Sequence, residues 1–170
     1  IIGHDDILLP NYLEEMQCLI QKHPNATLYQ THFHYIDAQG KLVRACQPMD
    51  EKQTVGESLK CQIFQTLDSM GTGYMFRSSD YDRLGGIPTH FPNLMFADYA
   101  LWNELIALGY KATSPNTCFE YRIHNSTSKQ TNGDLYCEAF EKYVAFLVEF
   151  GKKNAEIQAT TQTHGYRLLM

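Results

Sequence analysis

The sequence predicts an α/β fold in one domain spanning 1–170, and three observations predict it. The run ATLYQTHFHYID over 26–37 is dense in Thr, Tyr, Phe and Ile, the composition of a strand. Segments beginning near Tyr12, Gly56, Asp98 and Asp134 carry apolar residues at helical spacing. Turn signals such as Asp37-Ala38-Gln39-Gly40 and Gly85-Gly86 separate them. A chain of 170 residues is long enough to bury a core of its own.

Taken in order, Ile1-Ile2 is short, apolar and β-branched, which predicts a buried strand ending at Gly3-His4-Asp5-Asp6. Asn11 is a candidate cap for a helix over Tyr12 to Lys22, with Leu13, Met16, Leu19 and Ile20 on one face. The strand over 26–37 places Gln30, His32 and His34 on a common face, and Lys41 to Cys46 returns as a hairpin. Gln47 to Val55 reads as loop and Gly56 to Leu67 as a helix. Met70 to Phe76 is expected to be the central strand, entered through Gly71 and Gly73. A short helix over Asp80 to Leu84 stops at Gly85-Gly86. An irregular loop leads to an amphipathic helix from Asp98 to Gly109, in which Trp102 sits at core spacing. Two strand-like pieces, Tyr110 to Ala112 and Cys118 to Ile123, flank Ser114-Pro115-Asn116. The last helix runs from Asp134 to Lys152, and the tail to Met170 is weakly patterned.

The bulk numbers exclude several function classes. Net charge is −5, which argues against a nucleic-acid partner or an anionic membrane surface, since both require a basic patch. No apolar run approaches the roughly 18 residues of a transmembrane span, and Ile1-Ile2-Gly3-His4 lacks the charged start of a secretory leader. The five cysteines are scattered and form no CxxC or CxxH pair, so a structural zinc site is not expected. Free thiols fit a reducing, cytoplasmic setting.

Two acidic positions stand out. Asp5 and Asp6 follow a predicted strand end, where α/β folds place ligand chemistry and where carboxylates suit a divalent cation; an idle solvated turn is the alternative. Asp98 opens a helix with no basic residue within four positions. It reads either as a helix cap or as a general base at the floor of a cleft.

Four motifs in order resemble the second half of a family-2 glycosyltransferase catalytic domain of the GT-A type, over roughly Ile1 to Lys129. Gly3-His4-Asp5-Asp6-Ile7-Leu8-Leu9-Pro10 is similar to the DxD signature, with Gly3 where the first acid stands, Asp5 at the second and Asp6 next to it. Ile36-Asp37-Ala38-Gln39-Gly40 is similar to the hairpin that follows. Gly71-Thr72-Gly73, then Gly85-Gly86, resembles the acceptor-side glycine loop and the element after it. Phe96-Ala97-Asp98 resembles the "ED" element whose last acid is the base, with Ala97 in place of the preceding acid. Behind these, Tyr121-Arg122-Ile123-His124 resembles the stretch whose histidine helps to hold the metal. A QxxRW-type motif is not seen, which disfavours a processive synthase.

The resemblance implies a GT-A-like mixed sheet flanked by helices, lacking the N-terminal nucleotide-binding strands, with 130–170 as a C-terminal helical region. It implies an inverting, metal-dependent transferase that moves a sugar from a nucleotide donor, a UDP-sugar foremost, to a glycan or lipid-linked acceptor in polysaccharide biosynthesis. Asp98 would be the base. Asp5, Asp6 and His124 would hold Mn²⁺ or Mg²⁺. Gly71, Thr72, Gly73 and Arg122 would contact donor or acceptor. The enzyme would be cytoplasmic, or peripheral at the inner face of the membrane. Because the chain opens as if in the middle of a strand, it is expected to be part of a longer protein and to have little or no transferase activity alone. Two competing readings remain at this point: a metal-dependent phosphoesterase-like hydrolase using His4, Asp5, Asp6, His32, His34 and His124, and a non-enzymatic remnant or interaction module.

Overall fold

The computed structural model describes residues 1–123 and 132–169. It is an α/β structure built on a six-stranded mixed sheet. Two long parallel strands, β2 (Leu28–Ile36) and β6 (Lys111–Arg122), form its centre. Each has short antiparallel partners. β6 carries β4 (Lys52–Gln53) at its start and β1 (Ile7–Leu8) near its end. β2 carries β5 (Tyr74–Met75) at its start and β3 (Leu42–Ala45) at its end.

Helices cover both faces. α1 (Tyr12–Lys22) lies on the face that carries Tyr29 and Ser114: the Ser114 hydroxyl donates to Glu15, and the Tyr29 hydroxyl donates to the His23 carbonyl just past the helix. By the two-residue period, Gln30, Lys111 and Thr113 point to the opposite face. There they meet α2 (Val55–Ile63) and α4 (Ala97–Ala107). Lys111 Nζ donates to Gln53, which bonds Cys61 of α2, and Trp102 of α4 packs on Tyr74 with ring centroids 4.5 Å apart. The Trp102 indole N–H donates to the Met70 carbonyl, so the residue is core, as its spacing predicts. α3 (Ser78–Leu84) ends at Gly85 in the left-handed conformation. The long α5 (Gly133–Gly151) and α6 (Ala155–His164) complete the described chain, with a short 3₁₀ turn at Gly165–Leu169. No helix among the described residues is long and apolar enough to cross a membrane.

Several expectations need correction. Met70 to Phe76 is not the central strand. Gly73 takes φ +75° and keeps the chain from extending until Tyr74, so only two residues pair, on the flank of β2. The two pieces around Ser114-Pro115-Asn116 are one twelve-residue strand. Its register steps from Thr31↔Ser114 to His32↔Thr117, and that bulge absorbs Pro115, which has no N–H to give to a ladder. Lys52–Gln53 pairs where a loop is expected. α2 starts from a Thr54–Glu57 capping box and stops short of Leu67, and Gln65 then turns the chain at φ +55°. Ile1 and Ile2 are exposed, yet the segment is tied down: the Ile1 ammonium donates to the Tyr74 carbonyl and the Gly73 N–H donates to the Ile1 carbonyl. The C-terminal region, expected to be helical, includes α6, whose Glu156 accepts from the Gly56 N–H of α2.

Candidate functional site

Because β2 and β6 run parallel, their carboxyl ends share one edge of the sheet, the place where α/β folds expose ligand chemistry. Arg122, the last residue of β6, organises that edge. Its backbone N–H donates to Asp6 Oδ1 at 2.9 Å, and its Nε donates to the Asp5 carbonyl at 2.9 Å. Its Nη1 donates to the carbonyls of Asp37 (2.9 Å) and Ala38 (3.2 Å), in the turn after β2. Arg122 therefore clamps three segments together and fixes the backbone around both acids. The imidazole of His4, largely solvent-facing, lies 3.7 Å from Asp5 Oδ1.

The glycine loop joins this acidic edge to α4. The Gly3 N–H donates to Thr72 Oγ1 at 2.7 Å. A side chain at position 3 would bring its Cβ against Asp6 Oδ2, so that carboxylate, which also accepts from the Arg122 N–H, would have to turn. Gly73 lies over the Phe119 ring, and a Cβ there would stand 2.6 Å from Cε1. On the other side of the loop, the place a Cβ would take on Gly71 is 3.5 Å from Asp98 Oδ2.

Asp98 stands in the first turn of α4. Its Oδ1 accepts from the Tyr99 N–H at 2.9 Å, so one oxygen does cap its own helix. The other lies toward the glycine loop. Burial pushes the Asp98 carboxyl above the ordinary aspartate range, only partly offset by backbone N–H donors. The approach to this turn is strained: Asn93, Leu94 and Phe96 all take left-handed φ values of +50°, +56° and +65°. Non-glycine residues held there cost on the order of 1–3 kcal/mol each and persist where the surroundings over-determine them.

Tyr121 links the two halves. Its phenol pKa is raised first by burial and then by Asp6, Asp5 and Asp98. Carboxylates from two distant parts of the chain thus add to the effect of burial on one phenol near the end of β6. Asp5, Asp6, Asp98, Arg122 and the 71–73 loop are brought together. His124 lies outside the described residues. Among the described residues no group of three His, Cys, Asp or Glu side chains is close enough to hold a metal. The donor chemistry of Asp5 and Asp6 nonetheless fits Mg²⁺ or Mn²⁺ shared with a diphosphate, since such ions take one or two protein carboxylates and fill the remaining positions with phosphate and water oxygens.

His32 is committed elsewhere. Its Nδ1 donates to the Ser114 carbonyl at 2.7 Å and its Nε2 accepts from the Met49 N–H at 3.1 Å. A carbonyl only accepts and an amide N–H only donates, so the ring is the neutral Nδ1–H tautomer with both nitrogens occupied. The hydrolase reading needs His32 and His34 at the Asp5 site, and His32 has no free ring nitrogen to bring there.

At the start of α4 lies a cavity of about 610 Å³, walled by Tyr35, Asp68, Phe96, Tyr99, Tyr136 and Tyr143 among others. Sequence reasoning missed it, and missed Tyr121 as a site residue. The only signal was the abundance of tyrosine, 11 in the chain, at positions whose spacing reads equally well as packing. A scan against protein-family models finds no match to this chain, and a search of curated proteins finds none either.

Proposed function

We propose that this chain carries the acceptor-side catalytic machinery of an inverting glycosyltransferase that uses a nucleotide sugar, a UDP-sugar foremost, and a saccharide acceptor. One observation carries the reading: Arg122 at the carboxyl end of the parallel strands holds Asp6 and the Asp5 backbone, and the 71–73 loop reaches from Gly3 beside them to Asp98. Asp98 is the general base. It takes the proton of the acceptor hydroxyl at Oδ2, the oxygen turned toward the glycine loop. Its raised pKa makes it a stronger base than an exposed aspartate. Gly71, with no side chain, leaves room for that hydroxyl to approach. Asp5 and Asp6, with His124, would hold Mn²⁺ or Mg²⁺, which when bound offsets the charge of the diphosphate leaving group. Arg122 keeps the backbone of both acids in place. A single base with no separate nucleophile suits one displacement with inversion.

The test is Mn²⁺ binding by the full chain, followed by paramagnetic resonance, with and without UDP. Wild-type protein is expected to bind Mn²⁺ more tightly when UDP is present, because diphosphate oxygens complete the coordination. Asp5→Asn and Asp6→Asn are each expected to weaken binding about tenfold or more, the loss of one charged ligand. Mn²⁺ binding that ignores both substitutions, or that UDP does not tighten, sinks the proposal.

A further inference from the structure

The cavity at the start of α4, lined by the two residues Phe96 and Tyr99 that bracket Asp98 in sequence, has a volume of about 610 Å³, inside the range of small-ligand pockets. Its walls come from β2 (Tyr35), the loop after α2 (Asp68), the start of α4 (Phe96, Tyr99) and α5 (Tyr136, Tyr143). The α5 wall lies beyond the stretch that resembles a glycosyltransferase.

The rings are not equivalent. Tyr143 is buried, with Phe96 stacked on it at 5.3 Å (13° between planes) and Phe146 at 6.1 Å (17°). Its hydroxyl donates to Gln62 Oε1 at 2.9 Å and accepts from Asn103 Nδ2 at 3.0 Å. That residue is scaffold. Tyr136 is 48% exposed and meets Phe96 edge-on, at 5.6 Å and 61°, so it offers ring surface to the cavity. Tyr99, which adjoins Asp98 in sequence, lines the cavity and packs on Phe96 and Tyr143.

The charges on the wall are compensated. Asp68 receives two 2.9 Å bonds from Arg44 and the Gln47 N–H at 2.7 Å. The Arg167 guanidinium lies over the Phe64 ring, 4.3 Å from its centroid. A cationic ligand would meet arginines, not an open carboxylate. A purely apolar ligand would leave the polar side chains of Gln47 and Gln65, which also line the space, without use. Ring faces interleaved with amides and hydroxyls suit a neutral pyranose, whose C–H faces lie on aromatic rings while its hydroxyls bond amides.

We infer that this cavity binds the neutral saccharide acceptor, with Tyr136 as its stacking platform and Tyr99 guiding one sugar hydroxyl toward Asp98. The role of that hydroxyl rests on the transferase reading; saccharide binding does not.

The experiment is saturation-transfer NMR and calorimetry on the full chain, with lactose, cellobiose, methyl β-galactoside and methyl β-glucoside as probes. Choline chloride and glucose 6-phosphate serve as contrasting charged ligands. At least one neutral saccharide is expected to bind, with saturation passing from aromatic protons. Tyr136→Ala is expected to weaken it about tenfold or more, the loss of one aromatic platform. Tyr136→Phe is expected to keep most of the affinity. Cys137→Ser, at an exposed neighbouring position, should change nothing. Failure of every neutral saccharide, preference for choline or the phosphosugar, or unchanged binding in Tyr136→Ala overturns the inference. Mn²⁺ binding measured on the same samples separates the two ideas. Tyr136-dependent saccharide binding without Mn²⁺ leaves the pocket and removes the transferase. Intact Mn²⁺ binding with a silent Tyr136→Ala removes the pocket alone.

Discussion

Replacing Gly73 with alanine tests the hinge of the whole site. The glycine takes φ +75°, a conformation that costs an L-residue roughly 1–2 kcal/mol. An added Cβ would stand 2.6 and 2.8 Å from two ring carbons of Phe119. Phe119 is fully buried and packed on Phe33 at 5.5 Å, so it has no free direction in which to swing. Overpacking of that kind adds roughly 1–3 kcal/mol. The expected loss is therefore roughly 2–5 kcal/mol, a large share of the stability of a domain this size. Gly85→Ala is the matched control. Its φ of +83° carries the same backbone cost, but a Cβ there meets nothing within 4 Å, so only roughly 1–2 kcal/mol is expected. Urea unfolding followed by Trp102 fluorescence gives both values. The 73 variant should also lose Mn²⁺ affinity, because residues 72–74 hold Ile1–Gly3, and hence the run into Asp5 and Asp6. The 85 variant should not. Equal destabilisation by the two substitutions, within about 0.5 kcal/mol, would refute the packing argument.

Two further outcomes follow from buried charges. Lys111 is 1% exposed, and burial lowers its amine from 10.5 to about 8. Below pH 8 the native state must hold a buried ammonium that the unfolded chain solvates freely, so the penalty is full there and fades between pH 8 and 10.5. Lys111→Met is expected to raise the unfolding free energy by roughly 1–3 kcal/mol at pH 7, with the gap to wild type closing as pH rises; a destabilised variant, or a gap that ignores pH, contradicts this. Asp98→Asn keeps an acceptor for the Tyr99 N–H but removes a carboxylate whose native pKa is raised. The native state is therefore penalised above the native pKa and not below the unfolded value of about 3.9. The variant should melt a few degrees higher at neutral pH, about 0.5–2 kcal/mol, with no difference in strong acid. A lower melting temperature at pH 7 would show that Asp98 is a stabilising cap and not a desolvated base.

What was legible in the sequence was what repeats locally. The helix over Tyr12–Lys22 has the bounds its apolar spacing predicts, and the strand near 26–37 appears because β-branched and aromatic residues alternate there. Pairing partners were not legible, because they are chosen across long sequence distances. Nothing local marks Lys52–Gln53 as a strand, since it exists only because Lys111 and Ala112 lie opposite. Ser114-Pro115-Asn116 carries turn chemistry, yet parallel pairing with β2 on either side holds the strand through it. The same limit governs the site. Asp5, Asp6 and Asp98 are visible singly, as acids at element ends. Their convergence depends on β6 continuing past Pro115 to Tyr121 and Arg122, which nothing near Asp98 could foretell.

That dependence explains why the glycine loop carries more than open space. Thr72 accepts from the segment that leads into the paired acids, Gly71 borders the Asp98 carboxylate, and Gly73 rests on Phe119 of β6. Three consecutive residues thus touch the acidic edge, the base and the strand that carries Tyr121. A shift of the loop by even a side chain's width moves the base relative to the paired acids. The strained turn at Asn93, Leu94 and Phe96 fixes the other end of the same arrangement, by setting where α4 begins. Geometry held from both ends in this way is what the proposed transfer between two bound sugars would require, because nucleophile, base and leaving group must align within fractions of an ångström.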